Sequence, residues 1–428
     1  MNPDNTICAS ATAVGGAICI VRVSGPDAVC IVDGFFSRDL SVVDSHHATF
    51  GVIEADGQVV DEVLVTVFRA PHSYTGEDSV EISCHGSSYI VNRILELLIA
   101  GGCRMADPGE FTRRAFANGR MDLSQAEAVA DLIASQNEAS HRLAMSQMKG
   151  SISLKLDSLR EQLLKISSLL ELELDFSEED VEFADRSQLL SLSELIDAEV
   201  VRLAGTFRTG QAIRNGIPVA IIGAPNVGKS TLLNQLLKDD RAIVSPVQGT
   251  TRDLVEDTIT LGGYLFRFID TAGIRDTEDQ IEALGIERSL KAADRAQIII
   301  MLTEPGVPFP DISIREDQKL VRIVNKTDTF QALSGMGVAD LERKLVSLAV
   351  PSDVKGDIIL TNQRHYDALN EAHACINRVK DGLLSGISGD LIAEDLRAVI
   401  EALNGILGRS ITNQDTLNNI FKNFCIGK

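Results

Sequence analysis

Length, composition and charge already exclude several classes of protein. The chain has 428 residues, of which 44% are hydrophobic and 24% are charged, the composition of a folded globular protein and not of a disordered one. Its net charge of −21 disfavours a broad nucleic-acid-binding surface, although it is compatible with a nucleic acid held mainly by a partner. No apolar run approaches the roughly 18–20 residues that span a membrane, and the N-terminus has no signal or transit pattern. Because its seven cysteines are scattered, we expect a cytoplasmic protein with reduced thiols. The length of 428 residues predicts roughly two or three domains.

The first part of the chain, residues 1–118, alternates short apolar runs with turn residues. Period-two patterns predict strands at 17–23, 59–68 and 77–83, and a longer helical pattern covers 90–100. This mixture predicts an α+β domain.

Helical periodicity dominates residues 119–214. Apolar residues that follow one another at steps of three and four predict a helix packed against other helices: Leu156, Leu159, Leu163, Ile166 and Leu170. The helical pattern returns over residues 362–428. The two stretches together predict one α-helical domain that another domain interrupts.

The interrupting segment, residues 215–361, alternates short apolar runs with helical segments. The apolar runs predict buried strands at 219–222, 265–269, 297–302 and 320–324. Strands spaced by helices predict an α/β domain with a mostly parallel sheet. Because the ends of an inserted domain lie close together, we expect this domain to be inserted into the helical one.

A phosphate-binding motif follows the first of these strands. Gly223–Ser230 (GAPNVGKS) precedes a predicted helix at 229–238, which is the context that a P-loop requires. Its glycines let backbone N–H groups point at phosphates. We expect Lys229 to neutralise the β- and γ-phosphates and the Ser230 hydroxyl to bind Mg²⁺. The nucleotide-binding residues expected here are Asn226, Val227, Gly228, Lys229, Ser230 and Thr231.

Three further motifs predict that the nucleotide is GTP. Thr251, in the sequence GTTRD, offers Mg²⁺ a second hydroxyl, and Asp270–Gly273 (DTAG) offers a carboxylate and a glycine N–H near the γ-phosphate. Asn325–Asp328 (NKTD) places the Asp328 carboxylate where it accepts hydrogen bonds from guanine N1 and the 2-amino group, which adenine cannot supply. The nucleotide-binding residues expected in the last two motifs are Asp270, Thr271, Ala272, Gly273, Asn325, Lys326 and Asp328.

The sequence departs from many GTPases in two places. Where a glutamine often follows the DTAG glycine and positions water, Ile274 stands here, and Glu282 is a candidate replacement or simply an exposed helix carboxylate. After Asp328 only residues 329–337 precede a predicted helix, so the strand and base-backing loop expected there are almost absent. Ser334 is expected to stand in for that loop.

Four stretches of the sequence resemble the MnmE (TrmE) family of tRNA-modification GTPases. They are 71–86 (PHSYTGEDSVEISCHG), 108–133 (PGEFTRRAFANGRMDLSQAEAVADLI), 270–275 (DTAGIR) with the other nucleotide motifs, and 424–428 (FCIGK). These stretches lie at both ends and in the centre, so the resemblance covers essentially the whole chain. It implies a folate-binding and dimerising domain over 1–118, a helical domain in two parts and an inserted G domain.

The resemblance also implies an activity. Family members hydrolyse GTP with Mg²⁺ and are activated by K⁺-dependent pairing of their G domains. With MnmG (GidA), a partner that carries FAD, they add an aminomethyl or carboxymethylaminomethyl group to C5 of the wobble uridine in certain tRNAs. The one-carbon unit comes from 5,10-methylene-tetrahydrofolate, and 5-formyl-tetrahydrofolate is an alternative ligand. The resemblance therefore implies a homodimer that joins MnmG in a heterotetramer or larger complex.

Matching positions imply roles for single residues. Glu282 matches the catalytic glutamate, and Cys425 would present a thiol near the folate, its alternative being a small buried residue. The folate-binding positions are Arg22, Glu81, Arg120 and Lys428, of which position 120 is usually lysine in the family. The loop that follows the P-loop helix supplies Ser245, Pro246, Val247, Gln248, Gly249 and Thr250. The implied metal ligands are Ser230 and Thr251 for Mg²⁺ and Asn226, Ser245, Val247 and Thr250 for K⁺.

Two other interpretations remain open at this point. The nucleotide motifs alone fit a regulatory GTPase switch of the ribosome-assembly type, without one-carbon chemistry. The short segment after Asp328 also fits a folate-binding scaffold whose G domain has decayed. The folate positions and the terminal CIGK favour the modification enzyme, and the acidic charge disfavours an RNA-binding switch.

Overall fold

Two β-sheets organise the part of the chain that the computed structural model describes. The described residues are 5–175, 186–238, 257–269, 291–349 and 358–410, with 417, 420–422, 424 and 427 near the C-terminus. The chain divides into two compact units, Met1–Ala130 with Asn404–Lys428, and Asp131–Leu403. The protein is therefore multidomain, with α+β, helical and α/β regions, while the domain boundaries given above stay predictions.

The first unit is built on a six-stranded sheet. Its strands are β1 (Ile7–Ser10), β2 (Ile18–Ser24), β3 (His47–Ala55), β4 (Gln58–Phe68), β5 (Ser79–His85) and β6 (Arg104–Met105). Its helices are α1 (Ala28–Asp33), α2 (Ser88–Ala100), α3 (Glu110–Ala117) and α4 (Leu123–Ala134). The strand order is β3-β4-β5-β2-β1-β6, and only the β1–β6 pair is parallel. The strands and helix predicted in this region are confirmed within a few residues.

Strand alternation separates the core of this unit from a polar site. Val21 and Val23 on β2 and Ile82 on β5 are buried in one core with Ile94 of α2. Because successive side chains of a strand point to opposite faces, Arg22 lies on the other face of the sheet. The apolar pattern that forms the core thus also places the charged side chain of Arg22 away from it.

The second unit begins with helices. They are α5 (Glu138–Met148), α6 (Ser151–Asp175), α7 (Arg186–Gly205) and α8 (Phe207–Asn215). The five apolar residues predicted to line the packed face of α6 are all at most 3% exposed, which confirms that prediction. Among the described residues, no helix is long and apolar enough to cross a membrane.

An α/β region follows, and helices return after it. Its elements are β7 (Ile217–Ile222), α9 (Lys229–Lys238), β8 (Asp257–Leu261), β9 (Tyr264–Phe268), β10 (Ile298–Thr303), β11 (Lys319–Val324) and α10 (Val338–Ala349). The returning helices are α11 (Gln363–Ser385) and α12 (Gly389–Leu407). The Asp197 carboxylate of α7 lies 2.5 Å from His373 Nδ1 and forms an ion pair at 2.5 Å with Lys380, both on α11, so the two helical segments pack together.

The sheet of this region is mostly parallel, as predicted. Its order is β11-β10-β7-β9-β8, and β8 alone runs antiparallel to its neighbour. All six residues of β10 are buried, which explains its continuous apolar sequence, since a central parallel strand is covered on both faces. The carboxyl ends of β7, β9, β10 and β11 therefore share one edge.

The sheet ends at β11 because the chain after it is short. Between β11 and α10 the described residues form an isolated bridge from Gln331 to Met336 and no further strand. The connection between β10 and β11 also lacks a helix, and its Phe309 and Ile312 pack against the apolar cluster that includes Ile299. The chain covers this face of the sheet with a loop where a helix is usual.

Candidate functional site

The P-loop occupies the turn between β7 and α9. β7 ends at Ile222 and α9 begins at Lys229, the start that the sequence predicts. The turn needs left-handed backbone at Asn226, with φ +62°, and at Gly228, with φ +99°. Asparagine adopts this conformation more readily than most residues, and glycine adopts it without strain. The motif therefore has residues that suit its backbone.

The side chain of Lys229 folds back onto the backbone of this loop. Its Nζ donates to the carbonyl oxygens of Gly223 at 2.6 Å and Ala224 at 3.1 Å. Burial lowers the pKa of Lys229, because the charged form loses solvation. A bound anion would compensate that loss, so the loop is suited to phosphate.

Asn325 joins the P-loop to the chain that follows β11. Its buried side-chain amide donates from Nδ2 to the Val227 carbonyl at 2.8 Å and accepts at Oδ1 from the Ala332 N–H at 2.9 Å. A Cβ on Gly228 would lie 2.4 Å from Asn325 Nδ2, so this position requires glycine. The structure thus brings together the first and last nucleotide motifs.

The turn after Asp328 is built differently from the expected loop. The Ala332 N–H donates to Asn325 Oδ1, while the Ser334 hydroxyl lies 3.4 Å from the Gln331 carbonyl oxygen within the turn. Asp328 is exposed beside this turn. A short turn therefore takes over the support of Asn325, although the strand is missing.

Lys326 of the same motif is held in an unusual conformation. Its backbone φ is +61°, and its Nζ forms an ion pair at 2.5 Å with Glu304 at the end of β10. Left-handed backbone is uncommon for a lysine and is found where the surrounding structure imposes it. The ends of β10 and β11 thus constrain the motif from two sides.

Several predicted residues lie outside the described residues. They are Ser245, Pro246, Val247, Gln248, Gly249, Thr250, Thr251, Asp270, Thr271, Ala272, Gly273, Glu282, Cys425 and Lys428. Of the proposed metal ligands, Asn226 and Ser230 are described, and both belong to the P-loop. Among the described residues, no group of three or more His, Cys, Asp or Glu is placed to hold a metal ion.

A second candidate site lies in the first unit, where Arg22 of β2 stands opposite Glu81 of β5. Arg22 donates to Glu81 Oε1 from Nε at 2.9 Å and from Nη2 at 2.7 Å, and its Nη1 donates to the Gly427 carbonyl at 3.3 Å. A Cβ on Gly427 would lie 2.2 Å from the Ser10 carbonyl oxygen, so this close approach requires glycine. Arg22 thus contacts both Glu81, a second predicted folate-binding residue, and Gly427, which precedes a third, Lys428, in the sequence.

Aromatic rings surround Arg22. Its guanidinium carbon lies 5.4 Å from the ring centre of Tyr74 and 5.6 Å from that of Phe111, within cation–π range. The Tyr74 hydroxyl lies 2.8 Å from Thr112 Oγ1, and burial raises the pKa of Tyr74. Tyr74 also lines an adjoining cleft together with Arg120, the fourth predicted folate position.

A buried charge network supports this site, and sequence reasoning missed it. The Glu110 carboxylate, 1% exposed, accepts from Arg104 Nη1 at 3.1 Å, from Arg114 Nη2 at 3.2 Å and from the Asp107 N–H at 2.8 Å. Burial alone would raise the pKa of Glu110, but the hydrogen bonds and these cations lower it. Arg114 also forms an ion pair with Glu77 at 3.1 Å. This pair joins two of the stretches that carry the family resemblance, 71–86 and 108–133. The sequence signal that could have indicated this network is the four-residue spacing of Glu110 and Arg114, which places them on one face of a helix.

Comparisons with known proteins identify the family of this chain. The family model "GTP-binding protein TrmE N-terminus" matches residues 6–120, and the model "MnmE helical domain" matches residues 123–425. The chain is 50% identical over 467 residues to the tRNA modification GTPase MnmE of Bacteroides thetaiotaomicron, with 100% of both chains covered. This chain belongs to the MnmE family.

Other MnmE proteins give the same result. The one from Parabacteroides distasonis is 50% identical over 461 residues, covering 99% of this chain and 100% of that one. The one from Flavobacterium johnsoniae is 46% identical over 467 residues, covering 100% of both. Because these alignments are longer than 428 residues, MnmE relatives carry residues that this chain lacks. A solved structure of Era with MgGDPNP and 16S ribosomal RNA covers 37% of this chain and 65% of that chain at 23% identity, and its TM-score of 0.22 is too low to bear on the fold.

Proposed function

We propose that this chain hydrolyses GTP and, with the FAD-carrying partner MnmG, adds an aminomethyl or carboxymethylaminomethyl group to C5 of the wobble uridine of certain tRNAs. The observation that carries the GTPase part is the Asn325 side chain, which joins Val227 of the P-loop to Ala332 beyond the guanine motif. The tRNA part is supported by the name that the MnmE relatives bear, tRNA modification GTPase.

The proposal assigns these tasks to separate domains. Residues 1–118 would bind folate and form the homodimer, residues 119–214 and 362–428 would form the helical domain, and residues 215–361 would form the inserted G domain. Packing between α7 and α11 supports the pairing of the two helical segments. We place the whole protein in the cytoplasm.

The P-loop fits a triphosphate because its backbone N–H groups are hydrogen-bond donors for phosphate oxygens and Lys229 supplies a positive charge. Ser230 and Thr251 would hold Mg²⁺, which supplies positive charge to the phosphates. Asp328, exposed in the turn that follows β11, would accept the hydrogen bonds of guanine. This chain's own groups thus bind and orient the nucleotide from two sides.

For hydrolysis, Glu282 would orient the attacking water. Asn226, exposed on the P-loop, would hold K⁺ together with Ser245, Val247 and Thr250. The cation would supply charge where other GTPases use an arginine finger. Pairing of two G domains would complete this arrangement.

The first unit fits a reduced folate. Both hydrogen bonds from Arg22 end on Glu81 Oε1, which leaves Oε2 for the amino and ring N–H groups of a pterin. Arg120 and Lys428 would hold the carboxylates at the other end. The folate would supply the one-carbon unit, and Cys425 would present a thiol near it.

Steady-state GTP turnover in potassium and in sodium buffers of equal ionic strength tests the GTPase part. We expect turnover to be fast only in potassium. Glu282→Ala should bind GTP as the natural chain does but hydrolyse it at least about a hundredfold more slowly, the range seen when a positioned catalytic group is lost. Glu278→Ala, in the same segment, is the matched control. Equal turnover of the Glu282→Ala and natural chains would refute the assignment.

Wobble-uridine analysis of tRNA tests the modification part. With MnmG, 5,10-methylene-tetrahydrofolate, glycine and GTP, the natural chain should yield modified tRNA, and Cys425→Ser should reduce the yield. GTP turnover without any folate binding or tRNA product would favour the regulatory switch instead.

A further inference from the structure

The guanine motif at 325–328 follows the last strand of its sheet. Among the described residues, β11 ends the strand order and has β10 as its one neighbour. Between the motif and α10, residues 329–337 form the isolated bridge from Gln331 to Met336 and no further strand. The support that a further strand would give to the motif must therefore come from another part of the structure, and β10 is the nearest strand.

The end of β10 supplies a charged side chain to the motif. Thr303 pairs with Val324 where both strands end, and the Asn325 N–H donates to the Thr303 carbonyl at 2.8 Å. Glu304 is thus placed beside the motif, and its Oε1 lies 2.5 Å from the Nζ of Lys326. This ion pair continues the connection that backbone hydrogen bonds make between the two strands.

Hydrogen bonds hold the backbone on both sides of the ion pair. The Val307 N–H donates to the Glu304 carbonyl at 3.1 Å, and Thr303 Oγ1 donates to the Val307 carbonyl at 2.9 Å, so Glu304 begins a tight turn. On the other side, the Thr327 N–H donates to the carbonyl of the buried Phe330 at 3.0 Å, and Thr327 Oγ1 accepts from the Phe330 N–H at 3.1 Å. The ion pair therefore joins two segments that are themselves fixed.

The backbone of Lys326 determines where Asp328 lies. Lys326 has φ +61°, a conformation that a lysine seldom adopts unless the surrounding structure imposes it. Asp328 follows two residues later and is exposed. Without the ion pair, Lys326 is free to adopt commoner backbone conformations, which would turn the Asp328 carboxylate away from the base.

We propose, on the basis of the guanine-nucleotide binding proposed above, that Glu304 is a positioning residue for guanine specificity. Through Lys326 it keeps the motif in the conformation that presents Asp328 to guanine N1 and the 2-amino group. The contact that Glu304 controls is the one to the base, whereas the P-loop binds the phosphates. Glu304 thus takes over part of the support that a further strand would give.

Calorimetric titration of the full chain with GDP and with inosine diphosphate tests this proposal. Inosine lacks the 2-amino group of guanine, so the ratio of the two affinities measures the contact of that group with Asp328. We expect the natural chain to bind GDP at least about tenfold more tightly, because inosine loses a hydrogen bond to a charged group. Glu304→Gln should lower this ratio about threefold, since the ion pair it removes is partly exposed.

Two further variants and salt sharpen the test. Glu304→Asp keeps the charge on a shorter side chain and should give an intermediate ratio. Glu316→Gln removes an exposed carboxylate from the same connection between β10 and β11 and should keep the ratio of the natural chain. Added salt should bring the ratio of the natural chain toward that of Glu304→Gln, because salt screens a partly exposed pair.

The outcomes separate this proposal from the nucleotide site on which it rests. Binding of neither ligand to the natural chain would refute the nucleotide site itself. Equal affinity of the natural chain for both ligands would overturn the positioning role while the nucleotide site stands. An unchanged ratio in Glu304→Gln, or equal losses for the two ligands, would overturn it as well. A drop of the same size in Glu316→Gln would assign the effect to net charge and also overturn the proposal.

Discussion

The two candidate sites hold their binding groups by different means. In the first unit, charged side chains from distant parts of the sequence meet: Arg22 with Glu81, and Arg114 with Glu77. In the nucleotide site, one short turn supplies backbone amides, and a single side chain, Asn325, braces it. The first arrangement depends on balanced charge, whereas the second depends on backbone shape and on space.

This difference determines which changes each site tolerates. A charge network loses stability when one member is neutralised, because its partners stay buried without compensation. A tight turn loses its shape when a single carbon atom is added at a position that has no room for it. The two sites should therefore fail under opposite kinds of substitution.

The largest effect is expected at Glu110. Glu110→Gln removes a buried carboxylate from Arg104 and one of the two carboxylates that pair with Arg114, so the first unit should lose about 3 kcal/mol of unfolding free energy. Because the pKa of Glu110 is lowered in the folded state, its contribution is present above the unfolded pKa and lost as pH falls through the folded pKa. Hydrogen-exchange protection of β1 and β6 amides during a urea titration measures it.

The matched control for this variant is Glu96→Gln. Glu96 pairs with Arg93 on an exposed helix surface, so its removal should leave the urea midpoint unchanged. Equal effects of the two substitutions would contradict the view that the Glu110 network stabilises the candidate site around Arg22 and Glu81. A loss for Glu110→Gln that stayed constant down to acid pH would contradict the role of its charge.

The next effect is expected at Gly228. In Gly228→Ala the new Cβ would lie 2.4 Å from Asn325 Nδ2, so Asn325 must move and the P-loop loses its brace. We expect GTP affinity to fall at least about tenfold. Gly306→Ala is the control, because Gly306 also has positive φ, +81°, but open space around its Cβ position. Unchanged GTP affinity in Gly228→Ala would show that the contact with Asn325 is dispensable.

Much of the fold could be predicted because it follows local patterns. The continuous apolar run of β10 and the exact start of α9 at Lys229 can be read from neighbouring residues. The nucleotide motifs are equally local, so the P-loop was predictable as a unit. The contact of Asn325 with Ala332 was not, because no pattern in the neighbouring residues marks Ala332 as a partner of Asn325.

The folate-like site was less predictable from the residues themselves. The Arg22–Glu81 contact depends on the register of β2 with β5, which is fixed by pairing between distant strands. Glu110 reads as an ordinary helix carboxylate, and only its burial between Arg104 and Arg114 reveals its role. Long-range register and burial are the properties that a sequence pattern does not carry.

The smallest effect is expected at Tyr74, where two contributions to the folate-like site can be separated. Tyr74→Phe removes the hydrogen bond to the buried Thr112 hydroxyl but keeps the ring beside Arg22, so it should cost about 1 kcal/mol of stability in urea unfolding. Tyr74→Leu removes the ring as well and should also weaken 5-formyl-tetrahydrofolate binding several-fold, since a cation–π contact contributes about 0.5–2 kcal/mol. If both variants weakened folate binding equally, the hydroxyl would be the group that matters, and the site would depend on its hydrogen bonds alone.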